Sequence, residues 1–381
     1  MRPEIRVGTS TRGRQLDTAR HMEPLSVFLA APAGLEPQLL DEAREIGLKG
    51  PKAVSGGVEC DGGWEAVRRA NLRSRIASRV LARIARFDAR GFPALIAGFR
   101  AIDWSAWLPA GVGVTVDATS VRSRASHGGA VARHLGEALA RSGTEAGDDF
   151  RILARLERDI CTISLDTSGE PLHRRGYKQR VNRAPLRETL AAGFLRAAGY
   201  RAGEPLLDPM CGSGTFVIEA AEIARGLRPG RMRGFAFERL PSHDAGRWDA
   251  LRAMDAVNLS ILKCHGSDRD AGAVQIAKEN AASAGMSCSF ECRSISDVVP
   301  PEGAAGLVIT NPPYGTRIGD RRLEPLYGTF GRIMRERFGG WRIAMVTSED
   351  GLARATGLDW DAPGPYVDHG GLKVRLWQTA L

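Results

Sequence analysis

From Leu25 the spacing of apolar and polar residues changes period again and again along the chain. LSVFLA (25–30) alternates as a half-buried strand does, and GLEPQLLDEAREIG (34–47) repeats its apolar residues at helical spacing. The same reading gives a short strand GGVEC, a helix WEAVRRANLRSRIA (64–77) and a strand SRVLARIARF (78–87). After a loop follow strand GVTVDAT, helix AVARHLGEALARSG, and strands RILARLERD and CTISLDT. Short strands and helices in mixed order predict an α+β region over residues 23–167. SGEPLHRRGYKQR (168–180) opens a Gly/Pro-punctuated basic connector, taken as 168–185.

From Leu186 the alternation becomes regular. Helix LRETLAAGFLRAAG leads to strand EPLLD, a glycine loop PMCGSG and helix TFVIEAAEIARG. A long insertion rich in Arg, Pro and Trp comes next. Strand KCHGS, helix DAGAVQIAKENAASAG, strands SCSFEC and AGLVIT, helix LEPLYGTFGRIMRERF and strand RIAMVTS complete the pattern. Repeated strand–helix units with apolar strands predict a parallel sheet covered on both faces, a Rossmann-like domain over 186–381.

Composition narrows the class. No stretch of 18 uncharged apolar residues occurs, so no membrane span is expected, and the first 22 residues carry five Arg without an apolar run, unlike a signal peptide. That segment is expected to be a disordered extension. The six cysteines form no C-x-x-C pair and no His stands at ligand spacing, so no metal is expected and reduced thiols of a cytoplasmic protein fit best. Residues 1–190 hold 30 Lys/Arg against 22 Asp/Glu (+8), while 191–381 hold 23 against 22 (+1). The basic first half points to an acidic partner, nucleic acid first. The weight of this is reduced because 47 of the 53 basic residues are Arg, a bias that genome composition alone can produce.

Three strand ends carry chemistry. LLDPMCGSGT (206–215) ends a strand on Asp208 and opens a helix after Gly212 and Gly214. Such a loop lets a ligand approach the backbone and offers N–H groups to a carboxylate. It lacks the Gly-Lys-Ser/Thr of a phosphate-binding P-loop, and Val217 stands where a dinucleotide fingerprint needs Gly or Ala, so no diphosphate is expected. GSDRD (266–270) puts Asp268 at the next strand end, where a carboxylate can hold a ribose diol; Asp270 can equally cap the following helix. TNPPYG (310–315) closes a later strand with an amide, two prolines and a tyrosine. With fixed φ and no N–H, Pro312 and Pro313 make a stiff corner with unpaired carbonyls. This is either a rigid turn or a clamp on a planar group bearing NH2.

Taken together, these ordered strand ends resemble the class I S-adenosylmethionine-dependent methyltransferases that modify exocyclic or amide nitrogens. ISLDTSGEPLHRRGY, APLRETLAA, TNPPYGTRI and FGRIMRERFGGW extend the resemblance over both halves. From about Leu25 the chain is similar to the THUMP-domain RNA guanine-N2-methyltransferases, and among them to the N-terminal methyltransferase half of the large-subunit (23S) rRNA enzymes. The resemblance implies an α+β THUMP-containing RNA-binding domain before the Rossmann-like domain. It implies S-adenosylmethionine as cofactor, with Asp208, Pro209, Cys211, Gly212 and Gly214 on its methionine side and Asp268 on its ribose. Asn311 and Pro312 are implied to clamp the target amine, and Tyr314 to stack on the flipped base.

The sequence departs from the family in two places. The second methyltransferase domain of fused members has no counterpart within these 381 residues. Where the family carries an Asp for the adenine amino group, Ser294 stands in register and Asp297 lies three residues on. RNA contact is also expected at Arg174, Arg175, Tyr177 and Lys178, where cations flank an aromatic in the connector. Arg68, Arg69, Arg73 and Arg75 read as the wet face of a helix. Structured RNA is the expected partner, 23S rRNA before tRNA, bound by a monomer. A tRNA guanine-N2-methyltransferase and a non-catalytic RNA-binding assembly factor are the rival readings.

Overall fold

Alternating burial along Phe150–Glu157 and continuous burial along Leu206–Asp208 and Leu307–Thr310 belong to two sheets of different kinds. The computed structural model describes residues 25–178, 186–254, 263–314 and 323–381. The expected N-terminal extension (1–22) and the end of the connector (179–185) lie outside the described residues.

The first sheet draws on β1 (Ser26–Ala30), β2 (Lys49–Val54), β3 (Gly57–Asp61), β4 (Arg79–Asp88), β5 (Gly113–Val121), β6 (Glu145–Ala146), β7 (Phe150–Glu157) and β8 (Ile160–Asp166). Their order is β2-β3-β1-β4-β8-β7-β5-β6. β7 alternates buried and open positions along its length, as a strand with one solvated face must. β4 joins the two parts of this region. It pairs antiparallel with β1 at one edge and with β8 from Leu81↔Asp166 to Asp88↔Ile160 at the other. Helices α1 (Glu36–Glu45), α2 (Gly63–Arg73), α3 (Phe92–Ala101) and α4 (Gly128–Ala140) pack around it.

The helix expected over 64–77 stops at Arg73, and the reason is a buried carboxylate. Glu42 of α1 accepts from the Ser74 hydroxyl (2.6 Å) and from the backbone N–H groups of Arg75 (2.8 Å) and Ile76 (3.3 Å). Those N–H groups are then unavailable to the helix ladder, and Ser74 turns extended at φ −72°, ψ 126°.

In the second half lie α5 (Glu188–Ala197), β9 (Leu206–Asp208), α6 (Thr215–Ala224), α7 (Ala245–Ala253), β10 (Cys264–Asp268) and α8 (Ala271–Ser283). They are followed by β11 (Ser289–Cys292), β12 (Leu307–Thr310), α9 (Glu324–Arg337), β13 (Arg342–Thr347), α10 (Asp350–Ala355), β14 (Val367–His369) and β15 (Leu372–Ala380). The order is β11-β10-β9-β12-β13-β15-β14. The first five of these strands are parallel, while β15 runs antiparallel to β13 and to β14. Each of the four residues of β12 is buried, as both-face coverage of a parallel strand requires. The sequence reading did not foresee the β14–β15 hairpin. Its alternation is broken by consecutive buried Leu376 and Trp377.

One hydrophobic cluster runs through both halves, from Leu25 and Val27 of the first sheet to Leu376 of the second. Among the described residues no helix is long and apolar enough to cross a membrane.

Candidate active site

The strand order reverses at β9, with β10 on one side and β12 on the other. In parallel sheets that reversal opens a crevice beyond the strand ends, where ligands settle. Asp208, Asp268 and Asn311, the residues singled out in the sequence, stand at the ends of these three strands.

The first wall is the glycine loop. Asp208 ends β9 with its side chain almost fully covered and accepts from the Met210 N–H at 3.1 Å. Burial pushes its carboxyl up to about 7, with the Asp268 carboxylate pushing the same way. Cys211 N–H donates to the Ser267 carbonyl (2.9 Å), which ties the loop to β10. Gly212 sits at φ +52° and Gly214 at φ +83°, both in the left-handed region. Their surroundings differ. A Cβ on Gly214 would come within 3.1 Å of Ala277 and Phe290, whereas one on Gly212 would meet nothing within 4 Å among the described residues. Gly214 is therefore a packing glycine, and Gly212 borders open space.

Asp268 forms the second wall. One carboxylate oxygen accepts from the Gly212 N–H and the other from the Asp270 N–H, both at 3.0 Å. A carboxylate has about four acceptor sites, so two backbone bonds orient it and still leave capacity for a diol. Asp270 is committed elsewhere, as the cap of α8 that accepts from Gly272 and Ala273. Ser294 lies beside this wall, half-buried, with the Ser296 hydroxyl donating to its own at 3.1 Å. Asp297 is exposed.

The third wall is Asn311-Pro312-Pro313-Tyr314. The Tyr327 hydroxyl of α9 donates to the Pro313 carbonyl at 3.1 Å and fixes the corner. Asn311 Oδ1 is buried and, among the described residues, has no hydrogen-bond partner. A buried carbonyl oxygen without a donor costs on the order of 1–3 kcal/mol, which makes Asn311 Oδ1 the candidate acceptor of this wall. Pro312 is buried, and Tyr314 packs against both hydrophobic clusters.

The connector differs from what its sequence led us to expect. Arg175 and Tyr177 are 2% and 1% exposed. The Arg175 guanidinium donates to the carbonyls of Leu172 (2.9 Å) and Arg75 (2.6 Å). Lys178 reaches Thr215 Oγ1 (2.9 Å) and Glu188 (3.1 Å). Arg174 alone of the four stays exposed, paired with Glu170 at 2.7 Å. Three of the four expected RNA contacts are thus structural, because α5 and α6 pack over the connector. Arg68 is buried as well, and Arg75 lies beyond the end of α2. The supporting residues Tyr327 and Asn280, whose side-chain amide donates to the Ser213 carbonyl at 3.2 Å, carried no motif and went unseen.

A central parallel sheet with order β11-β10-β9-β12-β13 and an antiparallel β15, bearing its site at the β9 reversal, defines a Rossmann-like methyltransferase fold. Residues 175–362 match the family described as RMKL-like, methyltransferase domain, and residues 26–81 match the RlmL ferredoxin-like domain. Two solved structures superpose over nearly the whole chain. SMU.472, solved as a complex with SAH, is 30% identical with a TM-score of 0.84, covering 93% of this chain and 98% of that one. A possible methylase from Clostridium difficile 630 is 31% identical with a TM-score of 0.86, covering 94% and 98%. The chain belongs to this RMKL-like methyltransferase family. A ribosomal RNA large subunit methyltransferase K/L from Syntrophotalea carbinolica is 38% identical over 361 residues, 88% of this chain and 51% of that protein. The chain thus spans about half the length of the curated relatives it matches.

Proposed function

We propose that the chain is an S-adenosylmethionine-dependent RNA methyltransferase that modifies the exocyclic N2 of a guanosine in 23S rRNA. The observation that carries this reading is the buried Asn311 Oδ1 at the end of β12, which has no hydrogen-bond partner among the described residues. The residues present fit the cofactor. The space above Gly212 admits a ligand against the backbone, and Asp268 is held with acceptor capacity to spare. Asp208, Pro209, Cys211, Gly212 and Gly214 would line the methionine end, Asp268 would hold the ribose, and Ser294 would border the adenine. Bound there, S-adenosylmethionine supplies an electrophilic methyl group on a sulfonium.

The chain's own work is to present the acceptor. A guanine amino nitrogen delocalises its lone pair into the ring and is a poor nucleophile. The Pro313 carbonyl already accepts from Tyr327, and Asn311 Oδ1 with the Pro312 carbonyl would accept its two N–H bonds. Accepting both fixes the nitrogen's orientation and favours the positive charge that builds on it; once methylated, the nitrogen sheds one of its protons to water, so no general base is required in the transfer. Tyr314 would stack on the extruded base, a contact typically worth about 1–3 kcal/mol.

The test uses the full chain, labelled S-adenosylmethionine and RNA from a strain lacking the activity. Large-subunit rRNA is expected to accept one methyl per molecule, recovered as N2-methylguanosine, while bulk tRNA accepts none. Stoichiometric label in tRNA overturns the rRNA assignment, and label in methyladenosine overturns the guanine N2 assignment.

A further inference from the structure

The helix that leaves the glycine loop carries two carboxylates with no exposure at all, Glu219 and Glu222 of α6. Burying one ionised carboxylate costs several kcal/mol unless it is paired, and two a single turn apart also repel. Most of the compensation comes from outside the second sheet. Arg75, in the loop after α2, places one guanidinium nitrogen 2.6 Å from Glu219 and 3.5 Å from Glu222, and the other donates to the Leu227 carbonyl. Arg175 lies 3.5 Å from Glu219 and donates to the backbone carbonyl of Arg75 itself. Within the second half, Arg231 pairs with Glu222 at 2.7 Å. The loop that presents Arg75 is fixed in turn by Glu42, which binds residues 74, 75 and 76.

Glu219 lies one helical turn after Thr215, the first residue of α6, whose hydroxyl takes the bond from Lys178. Gly214, the cap of the same helix, is part of the loop that borders the cofactor space. A shift of α6 along its axis would therefore disturb the bond from the Gly212 N–H to Asp268, now 3.0 Å long.

We infer that Arg75 of the N-terminal half is a positioning residue for the cofactor loop, acting through Glu219 and Glu222, so that the cofactor site is a property of the two halves joined. The inference rests on the cofactor reading above. Removal of Arg75 leaves both carboxylates with less compensation than their burial demands, and α6 must slip, protonate or admit water to relieve it. Each of these loosens the loop at its other end.

The experiment uses the full chain and compares wild type with Arg75→Met and with Arg75→Met/Glu219→Gln. Calorimetry with S-adenosylmethionine is run well below each melting temperature, alongside hydrogen–deuterium exchange of the loop amides. The single variant is expected to bind about tenfold more weakly, within the usual range of coupling between sites, with faster exchange over residues 212–218. The double variant, which removes one buried charge with its partner, is expected to recover part of both. If Arg75→Met gives no cooperative melt, Arg75→Lys takes its place, with a smaller loss in the same direction. A folded variant that melts lower but keeps wild-type affinity and loop exchange overturns the inference, leaving Arg75 a purely structural residue. Wild type that fails to bind S-adenosylmethionine overturns the cofactor reading instead.

Discussion

Asn311 and Asp208 make opposite uses of burial. Asn311 brings a neutral acceptor that has no donor among the described residues, and on the reading proposed above an incoming amine offsets that cost. Asn311→Ala is expected to leave S-adenosylmethionine affinity nearly unchanged while single-turnover methylation falls by roughly 10²–10³, as when one preorganised polar partner of a transition state is lost. A variant that keeps more than about a third of wild-type turnover would remove the clamp from the mechanism. Asp208 is instead a carboxyl raised from 3.8 to about 7 by burial. Its folded value lies above its unfolded one, so the folded protein holds the extra proton between those limits. Stability from this group is therefore present at acid pH and is lost as pH rises toward about 7. Measured against Asp208→Asn, wild type is expected to lose melting temperature between about pH 5 and 7. Its affinity for the cationic end of the cofactor should rise over the same interval as the carboxylate forms. Parallel pH profiles in the two proteins would show that Asp208 does not titrate there. Both residue types were legible in the sequence, because each ends an apolar strand. The partnerless oxygen and the raised carboxyl were not, since both depend on what packs around them.

At the scale of elements, the two loop glycines separate geometry from space. Both adopt positive φ, which costs a non-glycine residue roughly 1–2 kcal/mol. Gly214→Ala also drives a methyl into Ala277 and Phe290 and should lower the melting temperature more than Gly212→Ala does. Gly212→Ala meets no described residue and should fold well, yet its methyl projects into the space assigned above to the cofactor, so affinity should fall most in this variant. Thermal melts and calorimetry on the pair check the crossing of these two orders; equal effects on both quantities would refute it. The sequence could place this loop because the Asp-x-x-x-Gly-x-Gly spacing is local. It could not place the end of α2, since the group that unwinds it, Glu42, comes from a different helix.

Across the whole molecule, the positive charge of the first half resolves into arginines with different duties. Arg79 and Arg83 are paired with Asp166 and Glu59, and Arg175 is buried. At one end of the first sheet, Arg86, Arg122, Arg124 and Arg158 remain exposed, Arg124 lying 3.5 Å from Asp159. β4, β5, β7 and β8 all reach this end, with Asp88 opposite Ile160 and Val121 opposite Glu157. Arg122 and Arg158 hold φ +51° each, an uncommon conformation for arginine, in loops pinned by the Arg158 N–H to Val121 carbonyl bond (3.2 Å). On the RNA reading proposed above, this end of the sheet, in place of the connector, is where phosphates are expected to dock. Arg122→Glu/Arg158→Glu should weaken RNA binding and flatten its salt dependence by about 0.7 per lost contact, with S-adenosylmethionine affinity unchanged. An unaltered salt slope would move the RNA surface elsewhere.

Taken by itself, the sequence determined the two-part organisation, the parallel sheet and the three strand ends that meet at the site. Each of these rests on short-range facts: a change in period, a proline pair with no N–H, a glycine spacing. Tertiary structure alone decided which cations face water. Arg75 meets Glu219 across 144 residues of chain, and Tyr177 and Lys178 are covered by helices that follow them. A charged side chain in a polar stretch reads the same whether it is solvated or enclosed. The difference is made by a packed surface from elsewhere in the chain, and by the buried carboxylates that surface brings with it.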